Sequence, residues 1–215
     1  MDRPATQRVR VKRVNELARY DRDTLDAILA AMPMCHVGYV FDGRPYVTPT
    51  LQWRIGDHIY WHGSAASRML EAVEGQPVCL TVSLFDGLVL ARSAFNFTVN
   101  YRSAMLLGTA RVVAEPAEKT EALQALMEIL VAGHWDQLRP MRSQELKATT
   151  VVSMPIEEFS IKLRDGHTID DDEDYTFPVW AGLVPIRTVM GAPEADPRNL
   201  EGVVAPPGLA GFGVG

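Results

Sequence analysis

Hydrophobic positions recur with two different periods along the 215-residue chain. A helical period comes first. In RYDRDTLDAILAAM, Leu25, Ile28, Leu29 and Met32 fall at i, i+3, i+4 and i+7; Asp21 or Asp23 can cap the start, and Pro33 ends it. Strand-like runs follow: CHVGYVF, RPYVTPTLQWR, HIYWHG, PVCLTVSLF, LVLARSAF and YRSAMLLGTARVVA. Asp42-Gly43, Gly56-Asp57 and Asp86-Gly87 separate some of them, and these two-residue signals predict three hairpins. SAASRMLEAV interrupts as a short helix ended by Gly75. Helical spacing returns in PAEKTEALQALMEILV, with Pro116 suited to the first turn and Leu123, Leu126, Met127 and Leu130 as the buried stripe. ATTVVSMPI and EFSIKLRDG read as two more strands. Six to seven antiparallel strands with few, irregularly placed helices predict a mainly β domain, a barrel or sandwich, and not repeated βαβ units.

Composition divides the chain into three parts. A basic arm, residues 1–20, holds Arg3, Arg8, Arg10, Lys12, Arg13 and Arg19 and reads as solvated. Residues 21–187 form the domain. Residues 188–215 are rich in Gly, Pro and Ala and read as a mobile tail or an arm lying on a partner subunit. The run DDDED, residues 170–174, reads as a solvated loop. A net charge of −6 argues against nucleic acid as a partner. No apolar run reaches membrane-span length and no secretory leader pattern opens the chain. Cys35 and Cys79 stand apart in apolar segments, as buried thiols do in a reducing compartment. These features predict a cytoplasmic protein.

Candidate chemistry narrows quickly. His58 and His62 share a strand and stand roughly 13 Å apart, too far for one ion, and no HExxH or cysteine cluster exists, so no metal site is expected. HGSAAS lacks the GxSxG of a nucleophile elbow. GLAGFGVG imitates a dinucleotide fingerprint, but no strand precedes it. A stronger signal is IYWHGSAASRML, where a strand hands over to a helix through Ser64 and Ser67 and the helix opens on Arg68. Hydroxyls, free N–H groups and a guanidinium there suit a phosphate. Upstream, Thr48 and Thr50 share one strand face around Pro49, which marks an edge or an opening. Downstream, Arg92, Asn100, Tyr101 and Arg102 crowd an apolar region. Each has a plain structural reading as well: a helix cap, an edge-strand proline, salt bridges.

Together these stretches, with HWDQLRP, ELKATTVVSMPIEEFSIK and FPVWAGLVP, resemble the flavin-binding split barrel of the pyridoxamine 5'-phosphate oxidase-like superfamily, and more closely its nitroimidazole-resistance branch, over roughly residues 19–187. The resemblance implies a six-stranded antiparallel split β-barrel with flanking helices. It implies a homodimer with a flavin site at the subunit interface, FMN by default and FAD as the alternative. It assigns Ser67 and Arg68, with Ser64 in the same turn, to the flavin phosphate. It lays Thr48, Pro49 and Thr50 along the isoalloxazine ring and turns His62 toward the flavin cavity as the catalytic candidate. Arg92 and Ser93 fall in the next hairpin, Asn100, Tyr101 and Arg102 complete the site, from the other subunit if need be, and Trp180 covers the ring. The chain departs from the true oxidases at its C-terminus, which lacks their arginine- and histidine-bearing substrate segment, and at Met69, where they place a second cation. The implied activity is reduction of a small acceptor, nitro-compounds included, with a nicotinamide donor. The alternative is a flavin- or haem-binding module without turnover.

Overall fold

In the computed structural model, which describes residues 3–210, the period-2 segments form the sheet and the helical ones close its ends. The elements are β1 (Ala18–Arg19), α1 (Arg22–Ala31), β2 (Met34–Phe41), β3 (Arg44–Ile55), β4 (His58–Ser64), α2 (Arg68–Ala72), β5 (Pro77–Leu90), β6 (Thr98–Thr109), β7 (Arg111–Val112), α3 (Pro116–Leu130), α4 (Ser143–Ala148), β8 (Thr149–Pro155), β9 (Glu158–Arg164) and β10 (Gly182–Pro185). Asp21 caps α1 by accepting a hydrogen bond from Thr24 N at 2.8 Å. Asp42 and Gly43 take φ of 50° and 69°, the left-handed pair that a two-residue hairpin needs.

The strands run in the order β1-β9-β6-β5-β2-β3-β4-β8-β7, all antiparallel, with β10 added to β5. After Ala110, β7 continues the line of β6. One chain segment therefore lies beside β5 and β9 first and beside β8 afterwards. The sheet wraps around without closing into one continuous ladder, which is a split barrel. Its interior is a single apolar cluster built from alternate residues, including Val37, Ile59, Trp61, Leu80, Leu106 and Met154. α1 closes one end, where Gln52 Nε2 donates to Leu29 O and Met32 O. α2 closes the other, with Leu70 packed under Gly63. α3 covers the outside of β3, β4 and β8, burying Leu123 and Leu126 against Trp53, Tyr60 and Val151.

Three expectations change. Asp86-Gly87 is no hairpin: β5 runs through it with a bulge between Phe85 and Gly87, and the chain turns only after Leu90. Asp86 is drawn aside because its carboxylate grips Arg102 and its carbonyl accepts from Ile186 N at 2.9 Å. Gly87 is needed there, since a Cβ would stand 2.9 Å from Val184 O of β10. The basic arm, of which residues 1 and 2 lie outside the described residues, is not solvated throughout. Val9 is buried, Arg8 pairs with Glu158 at 3.1 Å, and β1 pairs with β9, so the arm covers an otherwise open sheet edge. The acidic run is not wholly solvated either, because the Asp170 side chain is fully buried. The tail shows no α-helix or strand over 188–210, and 211–215 lie outside the described residues.

Candidate functional site

β3 changes partner halfway. Arg44–Leu51 pair with β2, whereas Gln52–Ile55 pair with β4. β4 leaves β3 after Trp61 and continues beside β8 to Ser64. The two strands diverge into a slot, and the edge of β3 along 44–51 that faces away from β2 has no strand neighbour among the described residues. Pro49 sits in this stretch, where a missing N–H takes nothing from a ladder. Thr50 Oγ1 donates to His62 O at 3.2 Å across the slot's closed end. Thr48 and Thr50 face the interior side, and Thr48 Oγ1 donates to Tyr39 Oη at 3.4 Å; Pro49 faces outward.

The turn after β4 forms one wall. Ser64 Oγ accepts from Ala66 N at 3.3 Å and Ser64 O from Ser67 N at 2.9 Å. Ser67 caps α2, yet its hydroxyl makes no capping bond. α2 has five residues, so an anion here would be held by hydroxyl and guanidinium and not by a long helix dipole. The Arg68 guanidinium carbon lies 5.5 Å from the Tyr46 ring centroid and 5.9 Å from that of Phe41, and Tyr46 stacks on Tyr39 at 5.7 Å. Among the described residues Arg68 forms no ion pair. An arginine stacked by its face on aromatic rings keeps its N–H edge free for a bidentate oxyanion. The sequence reading missed Tyr46, Phe41 and Tyr39, although the Asp42-Gly43 hairpin implies the register that sets Tyr39 opposite Tyr46.

His62 lies on the outer face of β4, its ring 5.6 Å from that of Trp53 in an edge contact. Its Nδ1 is buried without a hydrogen-bond partner, and burial pushes its pKa below the usual value. The imidazole is therefore held neutral near pH 7.

The remaining predicted residues stand elsewhere. Thr48 pairs with Val37, which pairs with Leu80; Tyr101 pairs with Phe85, five positions further along β5, roughly 17 Å away at strand spacing. Arg102 is bound at 2.8 and 2.9 Å by the Asp86 carboxylate. Asn100 is buried and accepts from Arg164. Arg92 donates to Asp170 from its backbone at 3.1 Å and from its side chain at 2.8 Å, and stacks on Tyr175 at 4.8 Å. Ser93 Oγ accepts from Asn96 N. Trp180 is 65% exposed beside Gly182, which pairs with Leu90 at the far end of β5. The predicted residues of one chain thus fall into two groups at opposite ends of its sheet. The described residues bring no three His, Cys, Asp or Glu side chains together in a metal-holding group. No helix of the described residues is long and apolar enough to cross a membrane. A cavity of about 290 Å³ between α1, β3 and α3, lined by Asp26, Gln52, Trp53 and Ile129 among others, contains none of the predicted residues.

Known proteins place this geometry. A family model described as pyridoxamine 5'-phosphate oxidase matches residues 21–163. The structure of the flavocytochrome Anf3 from Azotobacter vinelandii is 50% identical, with 99% of each chain covered and a TM-score of 0.94. The FAD and haem binding protein from Mycobacterium smegmatis is 37% identical over 91% of this chain and 97% of that one, with a TM-score of 0.86. A 5-nitroimidazole antibiotic resistance protein from Bacteroides thetaiotaomicron shares the fold at 22% identity, over 67% and 85% of the chains, with a TM-score of 0.56. A comparison with curated proteins gave no match. The split barrel, the open β3 edge and the serine-arginine turn thus stand in a chain that belongs to the pyridoxamine 5'-phosphate oxidase family.

Proposed function

We propose that the chain is a flavin-dependent oxidoreductase that holds FAD in the slot between β3 and β4. The observation that carries this reading is the unpaired β3 edge beside Arg68, a guanidinium backed by Tyr46 and Phe41 and without a carboxylate partner among the described residues. An unoccupied backbone edge offers fixed N–H and C=O groups to a planar heterocycle, and the stacked arginine offers a fork to phosphate. The relative described as an FAD and haem binding protein favours FAD over FMN.

A bound flavin supplies two-electron chemistry, taking hydride from a reduced nicotinamide and passing electrons to a small acceptor. Arg68 and Ser67 fix the phosphate end. Thr48, Thr50 and the β3 backbone orient the ring. His62 borders the slot as a neutral imidazole that can hold or give a proton at a nitrogen. The second group of residues belongs to a partner copy in this reading. Met34, Val40, Val47 and Phe85 form an exposed apolar strip on the outer face of β2, β3 and β5. A two-fold pairing through that face sets the Asn100–Arg102 end of one copy toward the Arg68 end of the other.

The two relatives also favour haem as a ligand, and in a second reading the groups are held without turnover. His62 and His134 each keep a buried Nδ1 without a hydrogen-bond partner, and either would offer a nitrogen to a haem iron. An absorbance spectrum of the purified protein, with chromatography of the species released by heat, tests both. A flavin spectrum that yields FAD and is bleached by NADH or NADPH is the expected result. A haem band without nicotinamide-driven bleaching supports the second reading. Absence of any chromophore after incubation with FAD and haem overturns both.

A further inference from the structure

The chain beyond Ile186 has a defined course with little of its own molecule to define it. Ile186 N donates to Asp86 O, and among the described residues beyond it the backbone hydrogen bonds outside regular elements run within the tail, Asn199 N to Asp196 O and Val203 N to Leu200 O. Val189, Leu200, Val203 and Val204 are 79%, 79%, 60% and 83% exposed. Yet the superposition on the solved flavocytochrome spans 99% of both chains with a TM-score of 0.94. Residues 188–210 are about a tenth of the sequence, so a tail that went elsewhere would hold that score lower. Fixing an extended segment costs about 1–2 kcal/mol per residue in backbone entropy. The prolines at 193, 197, 206 and 207 reduce that cost, but they do not fix where the segment lies. A surface outside the chain must hold it.

We propose that residues 188–210 of one copy lie against a second copy of the same chain and bury Val189, Leu200, Val203 and Val204 there. The position of the tail's root favours this occupant. Asp86 anchors Ile186 directly beside Phe85, which is 49% exposed on the outer sheet face proposed above as the pairing surface. The tail starts at the rim of that face, and its apolar side chains extend it onto the partner. This inference rests on the pairing reading and adds to it an arm that crosses between copies.

The test uses two full-length copies carrying different affinity tags, co-expressed, one with Leu200→p-benzoylphenylalanine. Irradiation is expected to give a product of two-chain mass carrying both tags. A product of one-chain mass alone, or none, overturns the inference. In parallel, deletion of residues 188–215 is expected to raise the dimer dissociation constant about tenfold or more in sedimentation equilibrium, with an unchanged circular dichroism spectrum. An unchanged constant in a chain that still dimerises overturns the arm alone. An intact chain that sediments as a monomer at micromolar concentration overturns the pairing as well.

Discussion

Arg68 and His62 show how much a single side chain's surroundings decide. Arg68 is surface-exposed, but its guanidinium is backed by two aromatic rings, so it reaches an anion with little rotamer freedom left to lose. Arg68→Ala is expected to weaken FAD binding by about 1.5–3 kcal/mol, roughly ten- to a hundredfold, with thermal stability near that of the parent. Quenching of flavin fluorescence on titration measures it, and an unchanged affinity would remove Arg68 from the site. His62 makes a prediction about pH. Its folded-state pKa is lowered by burial, so the unfolded chain binds the proton more readily. The stability that this contributes is complete above the unfolded value near 6.5 and is lost as pH falls below it toward the lower folded value. His62→Gln, which cannot titrate, is expected to flatten the fall in urea midpoint between pH 6.5 and acid. An equally steep fall in the variant would place the titrating group elsewhere.

At the scale of elements, what could be read in the sequence depended on how local the causes were. α1 with its Asp21 cap, the Asp42-Gly43 and Gly56-Asp57 hairpins, and the stripe of α3 arise from residues within a few positions of one another, and the alternation shows them directly. The apparent turn at Asp86-Gly87 is a bulge, because β10 and Arg102 act on it from other parts of the chain. Serine-arginine and threonine-proline-threonine were legible as site residues because each lies in one short stretch. The partners of Arg92 and Arg102 were not, since no short-range pattern links Arg92 to Asp170. That pair fastens residues 165–176 to the loop after β5: Asp170 accepts twice from Arg92, Tyr175 covers the guanidinium, and Thr168 Oγ1 donates to Leu90 O at 2.7 Å. Asp170→Ala leaves Arg92 without its buried counter-charge and is expected to cost about 2–3 kcal/mol. The urea midpoint should drop with no change in slope. A loss below about 0.5 kcal/mol, the range of an ordinary surface change, would show that the clamp is dispensable.

The molecule as a whole separates its candidate site into two ends, and this separation makes the pairing of copies testable through one valine. Val47 lies on the outer face of β3, 67% exposed, opposite Gly38 across the hairpin and one step from the facing pair Val40 and Pro45. In an isolated chain a charge at such a position meets water and costs almost nothing. In a two-fold interface the same charge is buried twice, once from each copy, without a compensating partner. Val47→Glu is therefore expected to leave the circular dichroism spectrum and the fold intact while converting the protein to a monomer in sedimentation velocity. Because Arg68 and the Asn100–Arg102 end of one chain stand at opposite ends of its own sheet, that monomer should also retain FAD poorly with every cofactor residue still in place. Loss of pairing with FAD affinity undiminished would mean that the slot beside β3 is complete within one chain. A variant that still pairs would move the interface off this face, and the outer apolar strip would then need another explanation.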